Sequence, residues 1–430
     1  MNPLPNDKPV FSFYGDDFTG STDALEAFAA NGVPAVLFLR TPATGDLCQF
    51  NKCRAVGIAG SSRSRSPQWM RAELPAVFER LREIGAPIVQ YKVCSTFDSS
   101  PEIGSIGCAM EIGARVFGGD VPGNRAVPVV PAAPRLGRYV VFGNLFAAYA
   151  GGTYRIDRHP AMSAHPTTPM DEADLLRHLA LQTSGKLALV DLHALRGDSF
   201  QWPADAQGVV FDGLDLCDLT RAARRIWDHR AAPQTFVVGS SGLTYGMLDF
   251  WRCQSWLPHP EAGGEPALSN DGRLLVLAGS CSPSTEAQVR RGLQSGFHGI
   301  RLNPSDPAAH RVEAEALAEL SAGRSVILYS ALGPADRVEI ADPGALSAAM
   351  GRLLRNLILA SKVSRVVVAG GDTSSYAVQE LGVSALTFLA PLAVGAPLCR
   401  AHGFPYPLEL VLKGGQIGPE SFFEDVRTRK

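Results

Sequence analysis

Two apolar runs that empty into polar, glycine-containing loops constrain this chain more than anything else in it. Near the N-terminus, Phe11-Ser12-Phe13-Tyr14 leads into Gly15-Asp16-Asp17-Phe18-Thr19-Gly20. Near the C-terminus, Arg365-Val366-Val367-Val368-Ala369 leads into Gly370-Gly371-Asp372-Thr373-Ser374-Ser375. Each reads as a buried strand, then a loop, then a helix. In open α/β sheets ligands bind beyond such strand ends. The first loop concentrates carboxylates, which suit proton abstraction or a metal ion. The second concentrates glycines and hydroxyls, which suit phosphate. Two half-sites of different chemistry imply a transfer between two bound molecules.

The same alternation runs along most of the chain. Strands are expected at 35–39, 55–59, 88–93, 127–130, 187–190 and 235–238, with a helix over 67–84. This rhythm predicts a mostly parallel sheet with helices on both faces. The segment 257–273 then gathers Pro258, Pro260, Gly263, Gly264, Pro266 and Gly272 with little apolar periodicity, and reads as a linker. Beyond it, strands at 274–278 and 325–329 and a helix over 344–360 precede the Val366 strand. Ser284 or Thr285 is the expected cap of the helix that runs through Leu293. At 430 residues, two domains are expected. The prediction is an α/β protein with residues 1–256 and 274–430 as domains, each built on a mostly parallel sheet flanked by helices. The active site is expected in the cleft between them.

Composition excludes several classes. A net charge of -2 offers no basic footprint for nucleic acid and no polybasic membrane patch. No apolar run is long enough to span a bilayer, and residues 1–10 lack the apolar stretch of a signal peptide. The eight cysteines are scattered, with Cys48 and Cys53 closest and no zinc-type spacing around them. Reduced thiols in a cytoplasmic protein are the plain expectation.

Several clusters could carry chemistry. Adjacent side chains diverge at a strand end, so one of Asp16 and Asp17 can face a ligand while the other caps the helix. After the next strand, Gly60-Ser61-Ser62-Arg63-Ser64-Arg65 supplies hydroxyls and a guanidinium that forks onto carboxylates. A third strand end carries Lys92-Val93-Cys94-Ser95-Thr96-Phe97-Asp98-Ser99. Cys94 would be a nucleophile only with a base and a depressed pKa, and a packing role suits it better. His159, His165 and His178 match no zinc motif, and His165 is left between a substrate contact and a structural role. In the C-terminal half, Gly279-Ser280-Cys281-Ser282, Gly370–Thr373 and Lys413-Gly414-Gly415 offer backbone N–H groups for phosphate, with Lys413 available to neutralise one. There is no Gly-x-x-x-x-Gly-Lys-Ser/Thr loop, and no Gly-x-Gly-x-x-Gly after the first strand. A standard P-loop enzyme and a dinucleotide oxidoreductase are therefore disfavoured.

In order and combination these motifs resemble the four-carbon acid sugar kinase family (DUF1537 type). The resemblance rests on Asp16-Asp17-Phe18-Thr19-Gly20, Lys92 with Cys94–Ser99, His165-Pro166 with Pro169-Met170, Gly279–Ser282, Gly370–Thr373 and Lys413–Gly415. It implies an N-terminal domain that binds a sugar acid through Asp16, Asp17, Arg63, Lys92, Ser95, Thr96, Asp98 and His165. It also implies a C-terminal domain that binds ATP through Ser280, Ser282, Gly370, Gly371, Asp372, Thr373, Lys413, Gly414 and Gly415. Cys94-Ser95-Thr96-Phe97-Asp98 is similar to the branch acting on 3-oxo acids such as 3-oxo-tetronate, and a branched relative, 3-oxo-isoapionate, is also a candidate. The chain departs from the family pattern at Gly15, where Ala is usual, at Gly414, where Ser is usual, and at Ile103–Gly107.

The expected activity is Mg²⁺- and ATP-dependent phosphorylation of a terminal hydroxyl, with Asp17 or Asp16 taking the proton and Arg63 and Lys92 holding the acid. The metal ligands are left unassigned, and a homodimer is the default oligomer. Two alternatives belong to other classes: a non-catalytic sensor of a sugar acid and a nucleotide, and an isomerase or aldolase using Lys92 as a Schiff base.

Overall fold

The computed structural model describes residues 4, 8–118, 126–164, 168–230, 234–257, 271–303, 305–306, 310–333, 336 and 343–429. His165 and residues 258–270 of the expected linker lie outside them. The chain forms two compact units. The first comprises Met1–Asp16, Ala27–Ala35 and Thr41–Glu261, and the second Asp17–Glu26, Val36–Arg40 and Ala262–Lys430.

The first unit is built on seven parallel strands in the order Ala55–Ala59, Phe11–Gly15, Ile88–Lys92, Thr235–Gly239, Val127–Val130, Gly208–Phe211, Leu187–Val190. The four central strands read as near-continuous apolar runs because helices cover both faces. Phe11, Phe13, Val89 and Val237 are fully buried. The helix Pro67–Ile84 shows why the local sequence works. Ser66 caps it by accepting from Trp69 N–H, Pro67 opens it, Met70, Leu74, Phe78 and Leu81 bury one face, and Gly85 closes it at φ 79°. The chain leaves Phe11–Gly15 toward Ala55–Ala59 on one side and returns to Ile88–Lys92 on the other. That reversal makes a crevice at the strand ends, where ligands bind.

In the second unit five parallel strands run in the order His298–Arg301, Val326–Tyr329, Leu275–Ala278, Arg365–Ala369, Leu408–Lys413. Ala396–His402 and Ala385–Ala393 extend this sheet antiparallel, and Leu37 and Phe38 of the strand Ala35–Phe38 pair with Ala385–Ala393. Here the reversal falls between Leu275–Ala278 and Arg365–Ala369. The α/β expectation holds, with mostly parallel sheets. The antiparallel hairpin was not foreseen, nor was a separate three-stranded sheet of Arg138–Val141, Asn144–Tyr149 and Gly152–Arg155. In the latter, buried and half-exposed positions alternate along Asn144–Tyr149, and Gly152–Arg155 has no buried position. No helix among the described residues is long and apolar enough to cross a membrane.

Candidate active site

In the first unit, three loops meet at the ends of three neighbouring strands. Asp16 N–H donates to Lys92 O at 3.0 Å, and Arg63 N–H donates to Asp16 O at 3.1 Å. The Arg63 guanidinium forks onto Asp16, with Nε 3.1 Å from Oδ2 and Nη2 2.7 Å from Oδ1. Asp17 does the capping. Its Oδ1 accepts from Gly20 N–H at 2.8 Å, and its Oδ2 accepts from the Thr19 hydroxyl at 2.6 Å. The divergence expected of two adjacent carboxylates is therefore present: Asp16 meets a guanidinium, and Asp17 opens the helix Phe18–Ala29.

Two buried tyrosines lie on the strands that carry these loops. Tyr14 and Tyr91 stack 5.9 Å apart, and the Tyr91 hydroxyl lies 2.8 Å from Ser62 Oγ. Burial, with the Asp16 charge adding to it, pushes Tyr14 up to about 12 and raises Tyr91 as well. Lys92, Ser95, Thr96 and Asp98 are all buried. The Thr96 hydroxyl has both Cys94 Sγ and Asp98 Oδ1 within reach. Burial raises the Cys94 thiol and Asp98 raises it further, against the opposing pull of Arg63 and Lys92. A buried thiol held in its neutral form suits packing, not nucleophilic attack.

The second unit brings the other motif residues together. Gly279 N–H donates to Ala369 O at 3.0 Å and Gly370 N–H to Lys413 O at 2.9 Å, so three strands end side by side. The helix Pro283–Gln294 starts two or three residues earlier than a cap at Ser284 or Thr285 would allow. Ser282 is its cap, accepting from Thr285 N–H at 3.2 Å, and Pro283 takes the first helical position, where its missing N–H costs nothing. The Ser282 and Thr285 hydroxyls both donate to Gly415 O. Gln288 reaches the carbonyls of Ile417, Gly418 and Pro419 at 3.0–3.1 Å. The turn after Lys413 is thus tied to the helix N-terminus. Glycine is required where these loops touch. A Cβ on Gly279 would sit 2.0 Å from Thr373 Oγ1 and 2.9 Å from Thr373 Cβ, so side-chain rotation gives no relief. Gly370 adopts φ 129°, a region L side chains avoid. Asp372 lies in the short helix Gly371–Ala377, and its side chain is outside the described atoms.

Lys413 ends its strand with no exposed surface. Among the described residues its hydrogen-bond acceptor is the neutral Thr285 hydroxyl at 3.2 Å, and the Phe422 ring lies 5.9 Å away. Burial pushes its ammonium down to about 7. An anion brought beside this group would favour its charged form.

Two family models match the chain: a sugar-binding N-terminal domain over residues 11–247 and a nucleotide-binding C-terminal domain over residues 275–423. The chain is 45% identical to the 3-oxo-isoapionate kinase of Paraburkholderia graminis, covering 97% of this chain and 94% of that protein. It is 32% identical to the 3-oxo-tetronate kinase of Pseudomonas savastanoi, covering 98% and 97%. A solved Salmonella typhimurium protein shares the fold with a TM-score of 0.74 at 25% identity, covering 97% of this chain and 98% of that one. A Haemophilus influenzae DUF1537 protein does so at 0.68 and 24%, covering 97% and 99%. The chain belongs to the four-carbon acid sugar kinase family (DUF1537 type), and the relatives favour a kinase over a non-catalytic sensor.

Sequence reasoning missed three contributors. Thr285 was read as a cap and is instead the partner of Lys413. Gln288, inside the helix Pro283–Gln294, and Gln182, in the turn after the helix Leu175–Ala180, take on their roles only when distant segments fold onto them.

Proposed function

We propose that this chain transfers the γ-phosphoryl group of ATP to a terminal hydroxyl of a 3-oxo sugar acid, with 3-oxo-isoapionate the first candidate and 3-oxo-tetronate the second. Lys413 is the observation that carries the reading. Its buried ammonium donates to the Thr285 hydroxyl beside the glycine- and hydroxyl-bearing loops, where a phosphate would meet it. The higher identity to the 3-oxo-isoapionate kinase than to the 3-oxo-tetronate kinases supports the order of substrates.

In this reading residues 1–256 take the acid, residues 274–430 take the nucleotide, and 257–273 link them. The charges of Lys92 and Arg63 face the acid carboxylate, and Arg63 also orients Asp16. Ser95, Thr96 and Asp98 face the hydroxyls, and His165 is a further contact. The nucleotide phosphates are met by Ser280, the Ser282 helix start, Gly370–Thr373, Lys413, Gly414 and Gly415. Phosphoryl transfer asks mainly for positioning and charge neutralisation. Asp17, assisted by Asp16, accepts the hydroxyl proton as the new P–O bond forms and the bond to ADP breaks. Each carboxylate oxygen has more than one lone pair, so Asp17 can cap a helix and still accept that proton. Among the described residues no group of three or more His, Cys, Asp or Glu is placed to hold a metal. Mg²⁺ bound with the nucleotide would supply charge neutralisation at the phosphates. A cytoplasmic homodimer completes the reading.

The test is ADP release with Mg-ATP over a panel of four-carbon and branched sugar acids and their 3-oxo forms. Turnover on a 3-oxo acid, absent with its reduced analogue, is the expected result. Silence across the panel while ATP still binds would overturn the substrate class.

A further inference from the structure

Beside the loop that carries Ser95, Thr96 and Asp98, buried Ser99 and His178 and half-buried Gln182 form a polar triangle that the chemistry above does not use. Ser99 Oγ is 2.9 Å from His178 Nε2, Gln182 Nε2 donates to Ser99 Oγ at 2.9 Å, and Gln182 Nε2 is 3.0 Å from His178 Nε2. The orientation of the Gln182 amide is fixed independently. Its Oε1 accepts from Ile106 N–H at 2.8 Å and Gly107 N–H at 3.3 Å at the start of the helix Ile106–Gly118, so the atom facing His178 is the NH₂ group.

That placement decides the histidine tautomer. An amide NH₂ offers hydrogens and no acceptor. If His178 Nε2 carried a proton, two N–H groups would face each other at 3.0 Å inside the protein. With Nε2 bare it accepts from the Gln182 amide, Ser99 keeps its one hydrogen for Phe97 O, and the triangle closes. Burial holds His178 below its ordinary value of 6.5, against the opposing pull of Asp171, Asp98 and Glu172.

The triangle grips an unusual residue. Phe97 is fully buried and holds φ 59° without being glycine, a conformation that persists only when its surroundings enforce it. The Ser99 hydroxyl reaches Phe97 O at 3.0 Å, and the His178 ring lies 6.1 Å from the Phe97 ring. Phe97 sits between Thr96 and Asp98, so its backbone sets the direction of both.

We propose that His178, through a bare Nε2, is a positioning residue of the acid site: it closes the Ser99–Gln182 triangle that holds Phe97 in the left-handed region and so aims Thr96 and Asp98. This rests on the reading of that loop as the acid-binding loop. Protonation of His178 turns its acceptor into a donor and opens the triangle.

Two variants and one spectrum test it. His178→Phe keeps a ring and removes the acceptor, whereas His178→Gln restores an acceptor that does not titrate. The expected result is a rise in KM for the sugar acid of about tenfold or more in His178→Phe, with KM for ATP unchanged and recovery in His178→Gln. The wild-type KM for the acid should also climb as pH falls below 6.5, and His178→Gln should lose that climb. Histidine ¹⁵N NMR of the wild-type protein, assigned with His178→Gln, should show Nε2 unprotonated at pH 7.5. An Nε2–H tautomer, or a His178→Phe variant that is merely less stable with an unaltered KM, would overturn the proposal. Wild-type protein that turns over no acid would instead defeat the functional reading, and the tautomer would still be read from the spectrum.

Discussion

Nucleotide binding should draw a proton onto Lys413. Burial holds the free ammonium at about 7 against an ordinary 10.5, and a phosphate beside it would return it toward the ordinary value. At pH 8 the free amine is then about one-tenth protonated and the bound one nearly fully so, which gives an uptake of roughly 0.9 proton per nucleotide. At pH 6 the uptake should shrink to about 0.1. Calorimetric titration of ATP in buffers of different ionisation enthalpy measures it directly. The second phosphate ionisation lies near 6, so at pH 8 the nucleotide contributes little of its own. Affinity should weaken about tenfold per pH unit above 7. Stability of the ligand-free protein follows the same proton. Between pH 7 and 10.5 the unfolded chain binds more protons here than the folded one, so this group's contribution to stability rises with pH across that window. Lys413→Met, close in volume, should abolish the uptake and weaken ATP. Saturable ATP binding at pH 8 with uptake near zero would refute Lys413 as a phosphate partner.

Three further perturbations separate structural from chemical roles. Asp17→Asn keeps a good helix cap and removes the charge, so it should fold normally while turnover falls about 10²–10⁴-fold. Asp17→Ala should add a stability loss of about 1 kcal/mol, read by denaturant titration, and an active Asp17→Asn would leave Asp17 as a cap alone. Gly279→Ala forces a methyl against Thr373 and should raise KM for ATP while leaving acid binding intact, since the clash is confined to the nucleotide loops; an unchanged KM for ATP would remove those loops from the site. Glu409→Leu strips the partner from Arg365, which is fully buried and also holds the carbonyls of Val426 and Arg429. A loss of about 3–5 kcal/mol in unfolding free energy is expected, and a loss within experimental error would show the pair to be dispensable.

Much of this was legible in the sequence because parallel strands buried on both faces leave an unmistakable trace. Phe11–Gly15, Leu275–Ala278 and Arg365–Ala369 are short apolar runs followed at once by Gly, Ser or Asp, and each marks a strand end and its loop. What stayed hidden was set by neighbours rather than by local pattern. Asp16 and Asp17 are equivalent on paper, and only Arg63, distant in sequence, separates their roles. Ser282 rather than Ser284 or Thr285 caps its helix because Pro283 prefers the first turn. The antiparallel strands Ala385–Ala393 and Ala396–His402 carry register irregularities and half-exposed positions that blur alternation.

The chemistry of the two sets of loops differs for a physical reason. In the proposed reading the first unit takes a small sugar acid that needs directional contacts, and there Arg63 fixes Asp16 while Phe97, as proposed, aims Thr96 and Asp98. A polyphosphate carries much charge over many oxygens, and backbone N–H groups at helix and loop starts meet it without fixing its identity. The second unit places glycine where its loops touch and holds the Lys413 ammonium out of water at a strand end. Substrate choice within the family should therefore reside in the Arg63 and Lys92–Asp98 loops. Exchanging Cys94–Ser99 for the corresponding segment of a 3-oxo-tetronate kinase should move acid preference and leave KM for ATP where it was. A shift in KM for ATP with acid preference unchanged would place specificity elsewhere.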